Sequence, residues 1–587
     1  STTTPIEIAR DLKLGQFRLS FADIRADLQG LPLTLTRTYD STQREVQGDF
    51  GWGWRASGQD ASVPKNMVLG LNWQVQARQL ELCLVAAGQR RITISLPDGG
   101  LYRFKARNRS ECGFAQIPPL DIVFDALPLP VGGGSGQGSG VAQLEVVNIA
   151  PLQAQGGVLF DMDALDVWNP RDFKLTTAEG AIYHLREGVG ILRVTDPYGN
   201  SVDYGANGYQ HSAGLGLQLT RDAQGRITKA TDPAGKSLAY SYNAQGELDS
   251  VTDRSGKTTR FGYARSLRSG DAGSVIEPHL LSSITDAEGR VIASQEFDEY
   301  GRLIASRDAQ GQQSTVAFDE ANNTQRVTDR RGHTTSYTFD AAGNITRVVD
   351  AKGSVTELSY DGNGNELTRK LFNRIGNRVR EETLVKTFDA ATGTQTSQTD
   401  PLEQTTSTTY SSGAFTHQRL NPKTTTDAKG NVTRYDYLFG QEQAPGAVPA
   451  SITEPLGRST TIAIDSKGNL KSLNVAGIAS TYDYDDKGRR IKETDGTGAV
   501  TTYSFDVNGN ELTRTVTRTV GATTRTETTT SVYDADNRLV QQTDPTGAIT
   551  RTTYNSAGKP VTQTDALGRI TKHSYDANAR PTRTEHP

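Results

Sequence analysis

The chain is poor in most of the residues from which active sites and membrane spans are built. It has two cysteines, Cys83 and Cys112, which excludes a disulfide scaffold or a four-thiolate zinc site and leaves room for one bridge. Its 67 acidic and 63 basic side chains leave a net charge of −4, too little of either sign to recruit nucleic acid or an anionic membrane. Mean hydropathy is −0.53, and no uncharged apolar run approaches the roughly 20 residues of a bilayer-spanning helix. The seven histidines, His184, His211, His279, His333, His417, His573 and His586, include no pair at metal-ligand spacing. No nucleophile elbow is present, and a Ser-His-Asp set could be assembled only by selection from many serines and aspartates. The chain opens at Ser1 without a basic-then-apolar leader, so it is read as a processed or excised piece.

What is abundant is turn chemistry. There are 59 glycines against 22 prolines, which suits neither a helical protein nor a disordered one and favours an all-β architecture. All four tryptophans, Trp52, Trp54, Trp73 and Trp168, fall in the first 168 residues, a compositional boundary. We therefore divide the chain into a β-rich N-terminal region, 1–190, and a repeat region, 191–587. In the first, Leu31, Leu33, Leu35, Arg37 and Tyr39 share one face of a strand. The Gly/Ser-rich stretch 131–140 reads as a flexible connection, without the lysine of a phosphate loop.

From about Leu192 two turn types alternate, Thr-Asp-x-x-Gly and Tyr/Phe-Asp-x-x-Gly. Their first positions run Asp222, Asp232, Asn243, Asp253, then Asp298, Asp308, Asp319, Asp329, Asp340, Asp350, Asp361, and again Asp534, Asp544, Asn555, Asp565, Asp576, in steps of 10 and 11. The period is 21 residues. An Asp or Asn at the first position is expected to accept from backbone N–H groups two and three residues on, and the glycine to supply the left-handed conformation that closes the turn. The turn residues singled out are Asp232 and Gly235, Asp253 and Gly256, Asp308 and Gly311, Asp319, Asp329 and Gly332, Asp340 and Gly343, Asp350 and Gly353, Asp361 and Gly364, Asp544 and Gly547, and Asp565 and Gly568. Between turns lie six or seven residues rich in Thr, Tyr, Val and Ile, so one period is one β-hairpin.

Roughly 400 residues at this spacing predict about 38 strands and a sheet about 180 Å wide at ~4.8 Å per strand. Such a sheet must curl, because open twisted sheets rarely exceed about 10 strands. With few apolar side chains per strand, its interior is expected to be hollow and water-lined, and the wall of one copy open-ended. A longer repetition pairs Asp361-GNGNELTR with Asp506-VNGNELTR, 145 positions on, and in both the next Tyr/Phe-Asp turn is delayed to 28 residues. The inserted residues predict two longer hairpins, Leu367 to Phe388 and Leu512 to Tyr533.

The alternating Tyr/Phe-Asp-x-x-Gly and Thr-Asp-x-x-Gly turns, together with LPLTLTRTYDS from Leu31 and GDFGWGW from Gly48, resemble the Rhs/YD-repeat family, which includes bacterial Rhs toxins, Tc toxin shells and teneurins. The resemblance implies a large curled antiparallel sheet of hairpins forming a hollow spiral shell, incomplete in this chain, with 1–190 as its shell-opening region and a cap or plug for one end. It implies a toxin or effector polypeptide as cargo, a remaining shell segment or partner shell chain, a secretion-system component, and export from the cell. The self-cleaving Asp-Pro-x-Gly-Leu of Rhs toxins is not matched, since Asn200, Lys236 and Ala548 stand in the Leu position after Asp196, Asp232 and Asp544. No catalytic, cofactor-binding or metal-binding residue is assigned. The Asp361-Gly-Asn363-Gly-Asn365 run has Glu366 where a calcium loop needs glycine. The alternative reading is an adhesion or glycan-recognition surface that uses exposed tyrosines, and a weaker one is a carbohydrate-active enzyme.

Overall fold

The computed structural model describes residues 15–587 other than 57, 89, 115–118, 128–141, 149, 178, 268–275, 342, 362–364, 376–377, 390–393, 411–420 and 439–446. The stretch 131–140 and Gly364 thus lie outside the described residues. Helix is limited among the described residues to two 3-10 turns, Ser41–Gln43 and Glu320–Asn322. Strand dominates, and 41 strands join in one antiparallel sheet that is not closed. The ladder starts with Arg91–Ser95 paired to Leu101–Asn108 and ends with Ile570–Tyr575 paired to Pro581–Glu585. From Asp172–Thr176 onward each strand pairs with the next in sequence, and the ladder passes position 190 without a break.

Most repeat strands are five or six residues long, a consequence of the 21-residue period. The hairpins Glu366–Ile375 with Arg378–Phe388 and Glu511–Val520 with Thr523–Tyr533 instead have strands of 10 and 11 residues. A third long hairpin, Thr258–Leu267 with Ile276–Thr285, has two strands of 10 residues.

Consecutive turns fall on opposite rims of the sheet, Thr-Asp turns on one and Tyr/Phe-Asp turns on the other. The Thr-Asp rim of early hairpins meets the Tyr/Phe-Asp rim of late ones. Asn508 Nδ2 donates to Asp232 Oδ2 at 3.2 Å, and Asn578 Nδ2 to Asp308 Oδ2 at 2.9 Å. Ser255 bonds Asp536, Ser556 bonds Glu288, and Asn200 Nδ2 donates to the Lys467 carbonyl at 3.1 Å. In each case 23 successive strands separate the two turns. The sheet is therefore a spiral whose second coil rests on its first. At ~4.8 Å per strand, one coil has a perimeter of about 110 Å, which makes a round wall about 35 Å across.

The first coil is not empty. Arg18–Ala26, Leu33–Asp40 and Trp54–Ala56 form a three-stranded sheet whose Leu33, Leu35, Tyr39 and Trp54 are fully buried. This sheet packs on wall strands from Ser201–Gly205 to Val291–Phe297: Phe50 lies on Tyr240, Trp54 on Phe261, and Phe17 on Phe297. Those strands span about 40 Å of perimeter, whereas a three-stranded sheet is about 10–15 Å wide. Only a wall curving around the small sheet can touch it so broadly, so the sheet is a plug on the concave side. The expectation of an unfilled interior is corrected here: three of the four tryptophans are buried, Trp54 in the plug and Trp73 and Trp168 in a second apolar cluster with Ile92, Phe104 and Phe173. Beyond Phe339, however, no apolar side chain is buried among the described residues, and the wall there is a single layer.

Two further small sheets flank that second cluster. In one, Cys112 pairs directly opposite Cys83, and the two form a disulfide.

Candidate functional site: turns, seam and inner wall

The turn residues build the rims. At Asp232, Asp253, Asp308, Asp329, Asp340, Asp350, Asp544 and Asp565, the Asp N–H donates to the carbonyl four residues on, and the glycine three residues on donates back to the Asp carbonyl. Those glycines have φ between +75° and +86°, the left-handed region where a side chain is strained. The carboxylate accepts from N–H groups two and four residues on, not two and three. For Asp544 these are Thr546 at 2.8 Å and Ala548 at 2.9 Å. The third N–H is already committed to the main-chain carbonyl. Asp361 accepts from Asn365 N–H at 2.8 Å. Asp319 differs: it caps the 3-10 turn Glu320–Asn322, and Asn323 takes the left-handed position. These carboxylates are thus consumed by their own turns. Asp427, Asp495 and Asp544 are held below the usual carboxylate range, first by side-chain donors Asn431, Thr497 and Thr546 and then by backbone N–H groups.

At the seam the second carboxylate oxygen is used again. Asp232 Oδ2 takes Arg254 Nη1 at 2.8 Å as well as Asn508, and Asp308 Oδ2 takes Arg330 Nη1 at 2.6 Å as well as Asn578. Ala309 N–H also donates to Asn578 Oδ1 at 2.8 Å. An arginine from the next hairpin and an asparagine from the next coil converge on one aspartate. Sequence reading missed this, because the partners are 276 and 270 residues apart.

The tyrosines at the ends of the repeat strands lie on the plug side of the wall, as Tyr242 and Tyr263 do. Several of their hydroxyls donate to a backbone carbonyl 15 residues earlier: Tyr360 to Ile345 at 2.8 Å, Tyr437 to Pro422 at 2.9 Å, Tyr554 to Leu539 at 2.7 Å and Tyr575 to Pro560 at 2.8 Å. Each therefore clips its hairpin to the previous one. A ring on the concave face with a committed hydroxyl does not serve an outward glycan-stacking surface.

Register shows what else faces inward. Arg490 and Glu493 sit opposite Tyr484 and Tyr482, and Arg514 and Glu511 sit opposite Tyr503 and Phe505. They pair with one another at 3.3 and 3.0 Å. Between them, Thr550, Thr552, Gln563 and Thr571 share the face of Tyr554 and Tyr575. The same registers put half-buried Ile452, Ile462, Leu473 and Val516 on this face, so the bare part of the inner wall is mixed, with hydroxyls and paired charges set among aliphatic and tyrosine side chains.

The plug is pinned by a buried ion pair. Arg37, 2% exposed, donates to both oxygens of Asp23, Nε at 3.0 Å and Nη2 at 3.2 Å, and Tyr240 donates to Asp23 Oδ2 at 2.9 Å. The guanidinium lies 4.6 Å from the Phe21 ring and 5.0 Å from the Trp54 ring. At the rim, Trp52 stacks on His279 at 4.6 Å, and His279 Nδ1 meets Glu247 at 2.7 Å. The one group of potential metal ligands among the described residues, Glu81 with Cys83 and Cys112, includes the disulfide and offers no thiolate.

These features define an all-β repeat wall wound as an open spiral, with structural turns, a hydrogen-bonded seam and a plug against the concave face of its first coil. The RHS Repeat family model matches residues 221–258, 318–355, 339–371, 484–523, 533–570 and 554–587, so these stretches of the wall are RHS repeats. No curated protein sequence matches it. Among solved structures, the chain is similar to TcdB2-TccC3-TEV at 12% identity and a TM-score of 0.40, over 95% of this chain and 31% of that one. It is also similar to the Photorhabdus luminescens Tc holotoxin pore at 11% identity and a TM-score of 0.38, over 94% of this chain and 41% of that one. The chain thus spans well under half the length of these structures.

Proposed function

We propose that this shell encloses a C-terminal toxin or effector polypeptide and helps deliver it, acting by confinement without chemistry of its own. The observation that carries the reading is the bare concave wall after Phe339: a spiral that buries no apolar side chain among the described residues there, faces inward with threonine, glutamine and internally paired charges among half-buried aliphatic side chains, and is plugged at the opposite end. In a lining of that kind the hydroxyls and paired charges interrupt the apolar side chains, which limits adhesion of a chain inside. The disulfide between Cys83 and Cys112 supports a protein that functions outside the reducing cytosol.

The geometry also bounds the cargo. Allowing ~5 Å of side chain on each side leaves a bore of about 25 Å, whereas a folded domain of 100 residues is about 33 Å across from its radius of gyration of ~13 Å. Cargo within these coils is therefore held extended or non-native. A remaining shell segment or a partner shell chain completes the container, and export engages a secretion-system component. The test is protease protection of the full-length gene product. Sequences after the repeats should resist digestion until the seam is broken. Digestion at the rate of the free polypeptide would refute confinement.

A further inference from the structure

His211 occupies the position of a repeat aspartate. It lies 11 residues before Asp222, in frame with the series, and its main chain makes the same bonds: His211 N–H donates to the Leu215 carbonyl at 2.8 Å, and Gly214 N–H donates to the His211 carbonyl at 3.0 Å. Its ring also does the carboxylate's work, Nδ1 accepting from Ala213 N–H at 2.9 Å. A ring that accepts at Nδ1 carries its neutral-state proton on Nε2, which then donates to the Gln29 carbonyl at 3.2 Å.

Gln29 is a junction. It lies in the linker between the plug strands Arg18–Ala26 and Leu33–Asp40, and its N–H donates to the Lys487 carbonyl at 3.1 Å while its side-chain Nε2 donates to the Lys467 carbonyl at 3.3 Å. Both of those carbonyls belong to second-coil turns. One buried contact, between His211 at 1% exposure and Gln29 at 5%, thus joins the plug, the first coil and the second coil.

We propose that His211 is an acid-sensitive latch: a proton on Nδ1 removes the acceptor for Ala213, sets two donors against each other, and loosens the joint at Gln29 that ties the plug to both coils. The charged groups facing the ring are Asp196 on the first coil and Lys467 on the second. The Asp196 carboxylate is already occupied by Tyr198 N–H and by Asn200 through both its backbone N–H and its Nδ2, and Lys467 repels a second cation. Burial holds the ring below the ordinary histidine value, ahead of the opposing pull of the Gln29 and Leu31 carbonyls. The sign follows. The fold favours neutral His211, so its contribution is present above the ordinary value of about 6.5 and is lost as pH falls through the lower folded value. The other turns, anchored by carboxylates and amides, keep their acceptors through that window. The latch requires only the geometry of the joint and is independent of what the shell carries.

The test is hydrogen exchange of the whole chain at pH 7.5 and 5.0, corrected for intrinsic rates. Exchange at 27–31 and 211–215 should rise several-fold at pH 5.0, while the turns at Asp544 and Asp565 stay unchanged. His211→Asn, the side-chain type that Asn243 and Asn555 already place at this turn position, should abolish the difference. Equal protection of the unaltered chain at both pH values, or equal loosening in His211→Asn, overturns the proposal. Should that variant not fold, exchange of the histidine ring C2 proton in the unaltered chain decides. A midpoint below 6.5 for His211 supports the latch, and one at or above 6.5 overturns it.

Discussion

Asp23→Ala tests whether the plug is an independent body seated in a self-supporting wall. The substitution leaves Arg37 at 2% exposure without its carboxylate and takes the acceptor from Tyr240. Removing one partner of a buried pair costs ~3–5 kcal/mol because the other charge stays desolvated. The rings of Phe21 and Trp54 over the guanidinium offset part of that, by ~1–2 kcal/mol. A net cost of about 3 kcal/mol is a factor of about 100 in the seated population. The wall strands keep their ladder bonds, so the loss should be local. Hydrogen exchange should quicken about 100-fold across Arg18–Ala26 and Leu33–Asp40, with Ile549–Tyr554 and Ile570–Tyr575 unchanged. The double change Asp23→Leu with Arg37→Met, which removes both charges, should restore most of the protection. Uniform loss along the chain, or no change in the plug, would refute the reasoning.

Asn508→Ala and Asn578→Ala each remove a seam bond to a shared aspartate. Together they should lower protection of the Asp232 and Asp308 turns while leaving hairpin pairing intact, and being far apart their effects should add. Tyr554→Phe should cost ~0.5–1.5 kcal/mol by freeing the Leu539 carbonyl, visible as faster exchange confined to the two adjoining hairpins. Gly468→Ala should be worse than Gly235→Ala: both have φ above +80° or at it, but only at Gly468 would a Cβ meet the Tyr198 ring, and thermal unfolding should rank them so. Acid should spare the turns down to the ordinary carboxylate value of about 3.9. The ionised forms of Asp427, Asp495 and Asp544 are favoured by the fold, so their contribution is present above that value and lost as pH falls through the lower folded ones. A circular dichroism titration that collapses the sheet near pH 6 would contradict this.

What could be read in the residues was whatever depends on local spacing. The interval from Asp361 to Asp389 marked a long hairpin, and Glu366–Ile375 with Arg378–Phe388 is one. The hairpin Thr258–Leu267 with Ile276–Thr285 escaped notice, although the gap between Asp253 and Asp286 held the same signal. The carboxylate acceptor pattern was off by one residue because the third N–H is taken by the main chain, a detail of turn closure that residue types do not disclose. A cap or plug in 1–190 was expected, but how it seats on the wall was hidden for a different reason. Tyr39 meets His279 and Leu281 some 240 residues away, and such contacts are fixed by sheet curvature, which local alternation does not encode. His211 belongs to no metal-ligand pair, and its place in the turn frame shows only when Gly214 is counted with it.

The number of strands per coil carries its own arithmetic. A hairpin adds two strands, yet 23, an odd number, separate the stacked turns, and only an odd interval lets a bend on the top of one lap sit directly over a bend on the bottom of the next. Gaining or losing a whole hairpin preserves that parity and changes the girth by about 10 Å. Gaining or losing a single strand would set bends over gaps. Shells of this design can therefore be resized in 21-residue quanta, so capacity is adjustable by duplication while the stitching between laps stays the same.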